Sequence, residues 1–371
     1  MIYRDFKGKK ISMLAMGTMR FPTIEDDSSR IDEEKTAEMF DFAIKNGVNY
    51  FDTAWIYHNG NSELVTGKIL KKYPRDSFYL ATKFPGYEPE NTGRVEEIFE
   101  TQLKKCQVDY FDFYLIHNVC DSSVDAYLDE KYGILEYLLK QKEIGRIKHL
   151  GFSSHSSPET MEKFLKAWGK HMEFCQLQIN YLDWFRQKAK INVELVEKYN
   201  IPIWVMEPVR GGKLAKLEES QEKRLKELRP DESIPAWAFR YLQTVPKVTT
   251  ILSGMSNMEQ IADNLKTFES EKKLSDKEVA TLYEIAGEMM DKKIIPCTSC
   301  RYCVSHCPKG LDIPRLLEIC NEEKLYEKEI DLNAVKEELG EDKTFKDCIS
   351  CKNCEKVCPQ GIKISEVMKK Y

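Results

Sequence analysis

The chain has 371 residues, 42% hydrophobic and 11% aromatic, which is enough for a sizeable core and more than one typical domain. Lys and Arg number 56 against 61 Asp and Glu; the net charge of -5 offers no basic surplus for nucleic acid. No apolar run reaches the length of a bilayer span, and the opening MIYRDFKGKK lacks the apolar stretch of a secretory signal, so a cytoplasmic protein without membrane association is expected.

Up to about residue 290, eight short β-rich runs alternate with longer helical patterns: ISMLAMGT, VNYFDTA, FYLATKF, YFDFYLIH, IKHLGFSSH, FCQLQINY, IPIWVMEP and TTILSGM. That alternation predicts βα units around a parallel sheet. Each run starts apolar and finishes in a residue such as Asp52, Lys83, His117, Ser153, Gln178 or Glu207, so polar chemistry gathers at one end of every strand. This is the arrangement of a (β/α)8 TIM barrel, whose strand interiors fill the core and whose C-terminal strand ends carry the site. A doubly wound sheet would want G-x-G-x-x-G after its first strand, and the chain has none. Between the first two runs, Phe40, Ala43 and Ile44 mark the buried face of a helix that Gly47 would cap. After the eighth, Ser256 to Glu259 reads as a capping box opening the helix NMEQIADNL, whose free N–H groups would suit a phosphate.

A charged helical stretch then leads to a boundary near Lys293, dividing a barrel at 1–290 from a small, mostly α-helical ferredoxin-like domain at 291–371. The second part carries one pattern twice: Cys297, Cys300, Cys303, Cys307-Pro308 and Cys348, Cys351, Cys354, Cys358-Pro359. C-x2-C-x2-C-x3-C-P is the spacing that wraps thiolates around a 4Fe-4S cluster, the fourth cysteine crossing to the other cluster. One cluster would take Cys297, Cys300, Cys303 and Cys358, and the second Cys348, Cys351, Cys354 and Cys307. Structural zinc rarely needs a third cysteine two residues on, and disulfides do not suit a reducing compartment. Cluster binding would supply much of this domain's folding energy, and DIPRLLEIC and DLNAVKEELG between the motifs read as helices. Cys106, Cys175 and Cys320 read as core residues; Cys120 fits no pattern.

Asp52, Tyr57, Lys83 and His117 fall on three successive strand ends or just beyond. An ammonium beside a phenol stabilises its phenolate, so Lys83 would lower the pKa of Tyr57, Asp52 would hold Lys83 charged, and His117 would orient a substrate oxygen. Together they describe proton transfer to a carbonyl oxygen with Tyr57 as general acid. Singly, each has a plainer reading: a turn cap, an ion pair at the core edge, a satisfied core histidine. His58 and His155 have no assigned role, and His306 would face solvent or a cluster sulfur.

Over roughly residues 1–270 the chain resembles the aldo-keto reductase family in FDTAWIY, ATKFP, LIH, GFSSH, QINY and GMSNMEQIADN. The resemblance implies an NAD(P)H-dependent carbonyl reductase or alcohol dehydrogenase with the tetrad Asp52, Tyr57, Lys83 and His117. It further implies that Ser153, Ser154 and Gln178 hold the nicotinamide carboxamide, and that Gly17, Thr18 and Met19 line the first strand end. Arg210, Gly211 and Gly212 would approach the pyrophosphate; Ser256, Gln260 and Asn264 would face the adenosine half. Met206 stands where many members stack an aromatic ring on the nicotinamide, or else packs in the core. Ser154 replaces a common asparagine, and Gly254 and Gln260 replace the cations that grip a 2'-phosphate, which favours NADH or weak cofactor binding.

The expected activity is that of an iron-sulfur oxidoreductase acting on a small carbonyl or alcohol, its clusters exchanging electrons with a ferredoxin-type or other redox partner. The alternatives are an electron-transfer protein whose barrel is a docking or ligand-binding scaffold without nicotinamide turnover, and clusters that serve structure alone.

Overall fold

The computed structural model describes residues 1–25, 27–292, 294–326 and 329–371; Lys293, where the sequence puts the domain boundary, lies outside them. Tyr3–Phe6 (β1) and Lys9–Ser12 (β2) form an antiparallel hairpin that turns at Lys7 and Gly8, with φ of 51° and 79°. Eight parallel strands follow: Leu14–Gly17 (β3), Tyr50–Asp52 (β4), Tyr79–Phe84 (β5), Phe111–Val119 (β6), Ile147–Ser154 (β7), Cys175–Gln178 (β8), Ile203–Met206 (β9) and Val248–Ser253 (β10). They close in chain order, β10 pairing back onto β3, with helices between them. Each of the eight expected runs coincides with one barrel strand, β6 running on past His117 to Val119 and β10 starting one residue early at Val248. The first is divided, since Ile11 and Ser12 pair with β1 and the barrel strand begins only at Leu14.

The hairpin closes the floor of the barrel. Phe6 is buried, with ring centroids 5.0 Å from those of His149 and Trp204 and 5.6 Å from that of Phe113, all near the N-terminal strand ends. Inside the barrel Ala15, Tyr50, Ala81, Leu115 and Trp204 continue this cluster. A larger apolar layer lies between strands and helices. The helix Glu33–Lys45 contributes Met39, Phe40 and Ala43 to it, starts under an Asp32 cap, and is followed by Gly47 at φ 91°.

The helix Met258–Thr267 starts differently from expectation. Its cap is Asn257, whose side chain accepts from the Gln260 N–H, while the Ser256 hydroxyl donates to the Arg20 carbonyl. Ser256 stays at the helix start through its backbone N–H, which donates to the Gln260 side chain at 2.8 Å, but its hydroxyl is used on Arg20 and the cap falls to the next residue.

The cysteine-rich part has its own core, in which Leu311, Leu316, Leu317, Cys320, Val335 and Phe345 pack together around the helices Ile313–Tyr326 and Leu332–Leu339. It reaches the barrel through an extended segment, residues 294–300, laid across the C-terminal strand ends. Three guanidinium groups hold that segment: Arg186 donates to the Ile294 carbonyl at 2.9 Å, Arg210 to Pro296 at 3.3 Å and Arg20 to Thr298 at 2.9 Å. Arg210 is fully buried and paired with the equally buried Asp183 at 3.0 Å, which also accepts from Gln178 and Asn180. Gly211, at φ 64°, has no room for a Cβ, which would lie 2.2 Å from the Thr298 carbonyl oxygen. Among the described residues no helix is long and apolar enough to cross a membrane.

Two stability predictions follow from burial. Phe6→Ala should cost about 3–5 kcal/mol in urea unfolding, as for other large core truncations, whereas Ile144→Ala, at a side chain 57% exposed, should change stability by less than about 0.5 kcal/mol. Asp183→Ala strands the Arg210 charge and should cost about 3–5 kcal/mol; a cost below about 1 kcal/mol would show that the pair is dispensable.

Candidate active site and cluster centres

Asp52 ends β4, Lys83 stands next to the last residue of β5, and His117 lies late in β6, so parallel register brings all three to one mouth. Tyr57 follows in the tight turn Tyr57–Gly60, where His58 and Asn59 take φ of 52° and 53°. That conformation is costly for such residues, and His58 stabilises it by accepting from the Phe21 N–H at 3.2 Å and stacking on the Phe21 ring. At His117 the pairing of β6 with β7 shifts register between Ile116 and Val119, and Asn118 has φ 53°. Such a bulge re-aims neighbouring side chains.

Lys83 Nζ, wholly buried, lies 2.5 Å from Asp52 Oδ1 and 2.8 Å from the Thr53 carbonyl, and 5.1 Å from the centre of the Tyr57 ring. Burial opposes its charge, but Asp52 and Tyr57 outweigh that and hold the ammonium above the usual lysine range. Burial is also the largest influence on Tyr57 and raises its pKa; Lys83 pulls it down, as the sequence suggests, but does not win. The phenol therefore keeps its proton at neutral pH, as a proton donor must. Burial first, then Lys83, pushes His117 well below the usual histidine range, so its ring is neutral.

A cavity of about 320 Å³ opens beside Tyr57 and Asp52. Gly17, Met19, Met206, Gly211, Gly212, Ser256, Gln260 and Asn264 line it, as the family resemblance implies for cofactor contacts. Other expected contacts are placed elsewhere. Thr18 is buried with its hydroxyl on Ser62. Ser153 Oγ accepts from the Asn118 N–H, and Ser154 Oγ donates to the Val119 carbonyl, so both hydroxyls are used in bracing β6 against β7. Arg210 is turned to Asp183 rather than to the cavity. The Gln178 amide is bonded to Asp183 at 2.7 Å and exchanges hydrogen bonds of 3.0 and 3.5 Å with Gln360, which Gln187 also contacts.

The lining residues not foreseen include Arg20, the one cation among the described lining residues, and Thr298, Tyr302 and Gln360 from the cysteine-rich part. Thr298 and Tyr302 occupy spacer positions of the first motif and Gln360 follows the proline of the second, and spacing alone assigns such positions nothing.

The cysteines form two sets, each around its own void. Cys297, Cys300, Cys303 and Cys358 line one; Cys307, Cys348, Cys351 and Cys354 line the other. The two loops also wind alike. Ser299 and Ser350 have φ of 52° and 56°, Arg301 and Lys352 63° and 62°, and Gly310 and Gly361 60° and 62°. Alternating left-handed residues turn successive N–H groups inward, the kind of concavity that receives iron-sulfur clusters, and the Ser299 N–H already points to Cys297 Sγ at 3.4 Å. Thiolate donors in sets of four, with inward N–H groups, fit a 4Fe-4S cluster in each void. Among the described residues no group of three or more His, Cys, Asp or Glu is placed to hold a metal ion, so the fit rests on these two sets and their backbone. His306 bonds the Tyr302 carbonyl at 2.9 Å and points its other nitrogen toward Glu88. Cys106, Cys175 and Cys320 are buried in the core, while Cys120 is half-buried beside Ser122 and Ser123.

Residues 13–286 match the model of the aldo/keto reductase family and residues 296–363 that of a 4Fe-4S dicluster domain. "Probable aldo-keto reductase 1" of Glycine max is 30% identical over 214 residues, which make up 56% of this chain and 58% of that protein. An uncharacterized oxidoreductase of Bacillus subtilis is 24% identical over 302 residues, covering 73% of this chain and 92% of its own length. Among solved structures, an aldo-keto reductase from Bacillus halodurans in its holo form superposes with TM-score 0.62 at 24% identity, over 76% of this chain and 95% of that one. One from Klebsiella pneumoniae, in complex with NADP and acetate, gives 0.59 at 19%, over 76% and 93%. Both share the barrel fold. With three quarters of its length in the first match and the cluster motifs in the second, the chain belongs to the aldo/keto reductase family and is an oxidoreductase of that type carrying a C-terminal 4Fe-4S dicluster domain.

Proposed function

We propose that the protein reduces a small carbonyl compound with NADH or NADPH, or runs the reverse alcohol oxidation, with Tyr57 as the acid that protonates the carbonyl oxygen. The observation that carries this reading is the buried Lys83–Asp52 pair beneath a protonated Tyr57 at the edge of the cavity. When bound, a nicotinamide dinucleotide supplies the hydride and the 4Fe-4S clusters carry single electrons. Met206 and the Gly211–Gly212 turn would hold the nicotinamide and phosphates, and Arg20 is the cation nearest to hand for the latter. Tyr57 gives up its proton as negative charge grows on the substrate oxygen; Lys83 then stabilises the phenolate, and Asp52 fixes Lys83 without having to reorganise.

We place the barrel at 1–290 and the cluster domain at 291–371, a division supported by their separate apolar cores. Cys351 is exposed, whereas Cys300 lines both the first cluster void and the barrel cavity. That order of cavity, first cluster, second cluster and surface supports electron exchange with a ferredoxin-type partner at the second cluster. One observation favours a second reading, an electron-transfer protein without nicotinamide turnover: Gln360 already occupies the Gln178 amide. Failure to bind either dinucleotide by calorimetry, with clusters that reduce reversibly, would establish it.

Tyr57→Phe should lower carbonyl reduction by about 10²–10⁴-fold and leave the cluster absorbance unchanged. Retained activity removes Tyr57 from its role. Anaerobic preparations should contain about eight iron atoms per chain, and zinc in their place would refute the cluster assignment.

A further inference from the structure

The tetrad does not face the cavity alone. Tyr302, between Cys300 and Cys303 on the first cluster loop, reaches into the barrel mouth, and its hydroxyl stands 3.4 Å from His117 Nε2. The Tyr57 phenol is its neighbour at the cavity edge, each being among the groups that shift the other's pKa. Its ring stacks on that of Tyr87 at 6.3 Å and 11°, and Tyr87 meets the His117 ring edge-on at 5.2 Å. Tyr57 and Tyr302 both line the cavity; His117 does not. The residue expected to orient the substrate oxygen is thus screened from it by a residue of the other domain.

We propose that Tyr302 is a residue of the barrel's active site, and that its hydroxyl, backed by His117, presents the second hydrogen bond to the substrate oxygen beside Tyr57. This rests on the carbonyl-reductase reading above. The neutral His117 ring has one N–H and one lone pair. With the proton on Nε2, His117 donates to the Tyr302 oxygen, and the Tyr302 proton is free to point into the cavity. With a carbonyl bound there, that proton falls on the carbonyl oxygen, which then accepts from both phenols. The reverse tautomer would consume the Tyr302 proton and leave only lone pairs toward the substrate.

The loop is held in this position at two further points. Arg20 binds the Thr298 carbonyl, and Gln360, two residues beyond Cys358, pairs amide to amide with Gln178. Both Tyr302 and Gln360 belong to the loops that enclose the first cluster void. The seat of the substrate oxygen is therefore built only when those loops are wound, and a ligand in that seat touches the residue next to the cluster cysteine Cys303.

The test uses the anaerobically reconstituted full chain and Tyr302→Phe, which keeps the ring on Tyr87, with iron content and absorbance confirming cluster loading in both. With 4-nitrobenzaldehyde and NADH or NADPH, Tyr302→Phe should lower kcat/KM for the aldehyde by about 10–100-fold and leave KM for the dinucleotide unchanged, the loss expected for one hydrogen bond made to a developing charge. A second readout needs no turnover. Acetate, whose carboxylate presents an oxyanion to the same seat, should saturably change the EPR spectrum of the dithionite-reduced wild type, and Tyr302→Phe should weaken its apparent affinity by at least about tenfold. If the wild type reduces no aldehyde, the carbonyl-reductase reading fails and the acetate titration alone decides on Tyr302. Wild-type values or better from Tyr302→Phe in either decisive measurement would overturn the proposal, and improvement would make Tyr302 a plug.

Discussion

The architecture depends on three guanidinium groups reaching from three barrel loops to one strip of backbone. Arg186, Arg210 and Arg20 donate to the carbonyls of Ile294, Pro296 and Thr298, every second residue of an extended segment, so the strip is held along one edge. Charged donors to backbone carbonyls make stronger bonds than neutral ones, and the middle cation is anchored from below by Asp183. Burying that pair is costly unless every polar group nearby is used. Asp183 contributes by accepting from Gln178 and Asn180 as well, while Arg210 Nη1 stays buried without a hydrogen-bond partner. The same carboxylate thus braces the segment and orients the amide that pairs with Gln360. Fixing the strip sets the first cluster loop over the barrel mouth, and every later feature of the site depends on that placement.

A covered mouth changes the electrostatics beneath it. Lys83 and Asp52 are out of contact with water, and in such surroundings their attraction is far stronger than on an open surface. Burial also raises the Tyr57 pKa beyond what the ammonium can offset, so the site holds a protonated phenol over a charged pair. Such a phenol surrenders its proton only as negative charge appears on a neighbouring oxygen. In the proposed reduction that coupling would tie proton transfer to the moment the hydride arrives, whereas a phenol ionised at rest would have no proton to give.

The eight strands and the tetrad were legible in the sequence because both are local signals. A parallel strand buried on both faces reads as an apolar run, and Asp52, Lys83 and His117 end such runs whatever surrounds them. The paired cysteine motifs were legible for the same reason. The hairpin was not, because Tyr3–Ser12 carries Arg4, Asp5, Lys7, Lys9 and Lys10, and only Phe6 and Ile11 enter the floor. Nor did Ser153, Ser154 or Arg210 stand where the resemblance implied; their polar atoms found partners at Asn118, Val119 and Asp183. Tyr302 and Gln360 were illegible for a different reason. Their roles arise from contacts 182 or more residues apart in the chain, made by a spacer position and by the residue just past the second motif, whose identities the cluster motif leaves open.

The cavity is bounded by the cluster domain as well as by the barrel's own loops. The wall between the cavity and the first cluster void consists of Thr298, Cys300 and Gln360, and the roof over Tyr57 is Tyr302. Lifting the cluster loop from the barrel would give up the Arg20–Thr298 bond, the Gln178–Gln360 pair and the Tyr302 contacts together. Water compensates each group only in part, at about 0.5–1.5 kcal/mol per neutral bond and more for the charged one. Winding of the loop around a cluster opposes the same motion, since four fixed sulfurs leave the intervening residues little freedom to swing. The contacts that seat the first cluster loop on the barrel are therefore the same ones that complete the wall of the cavity.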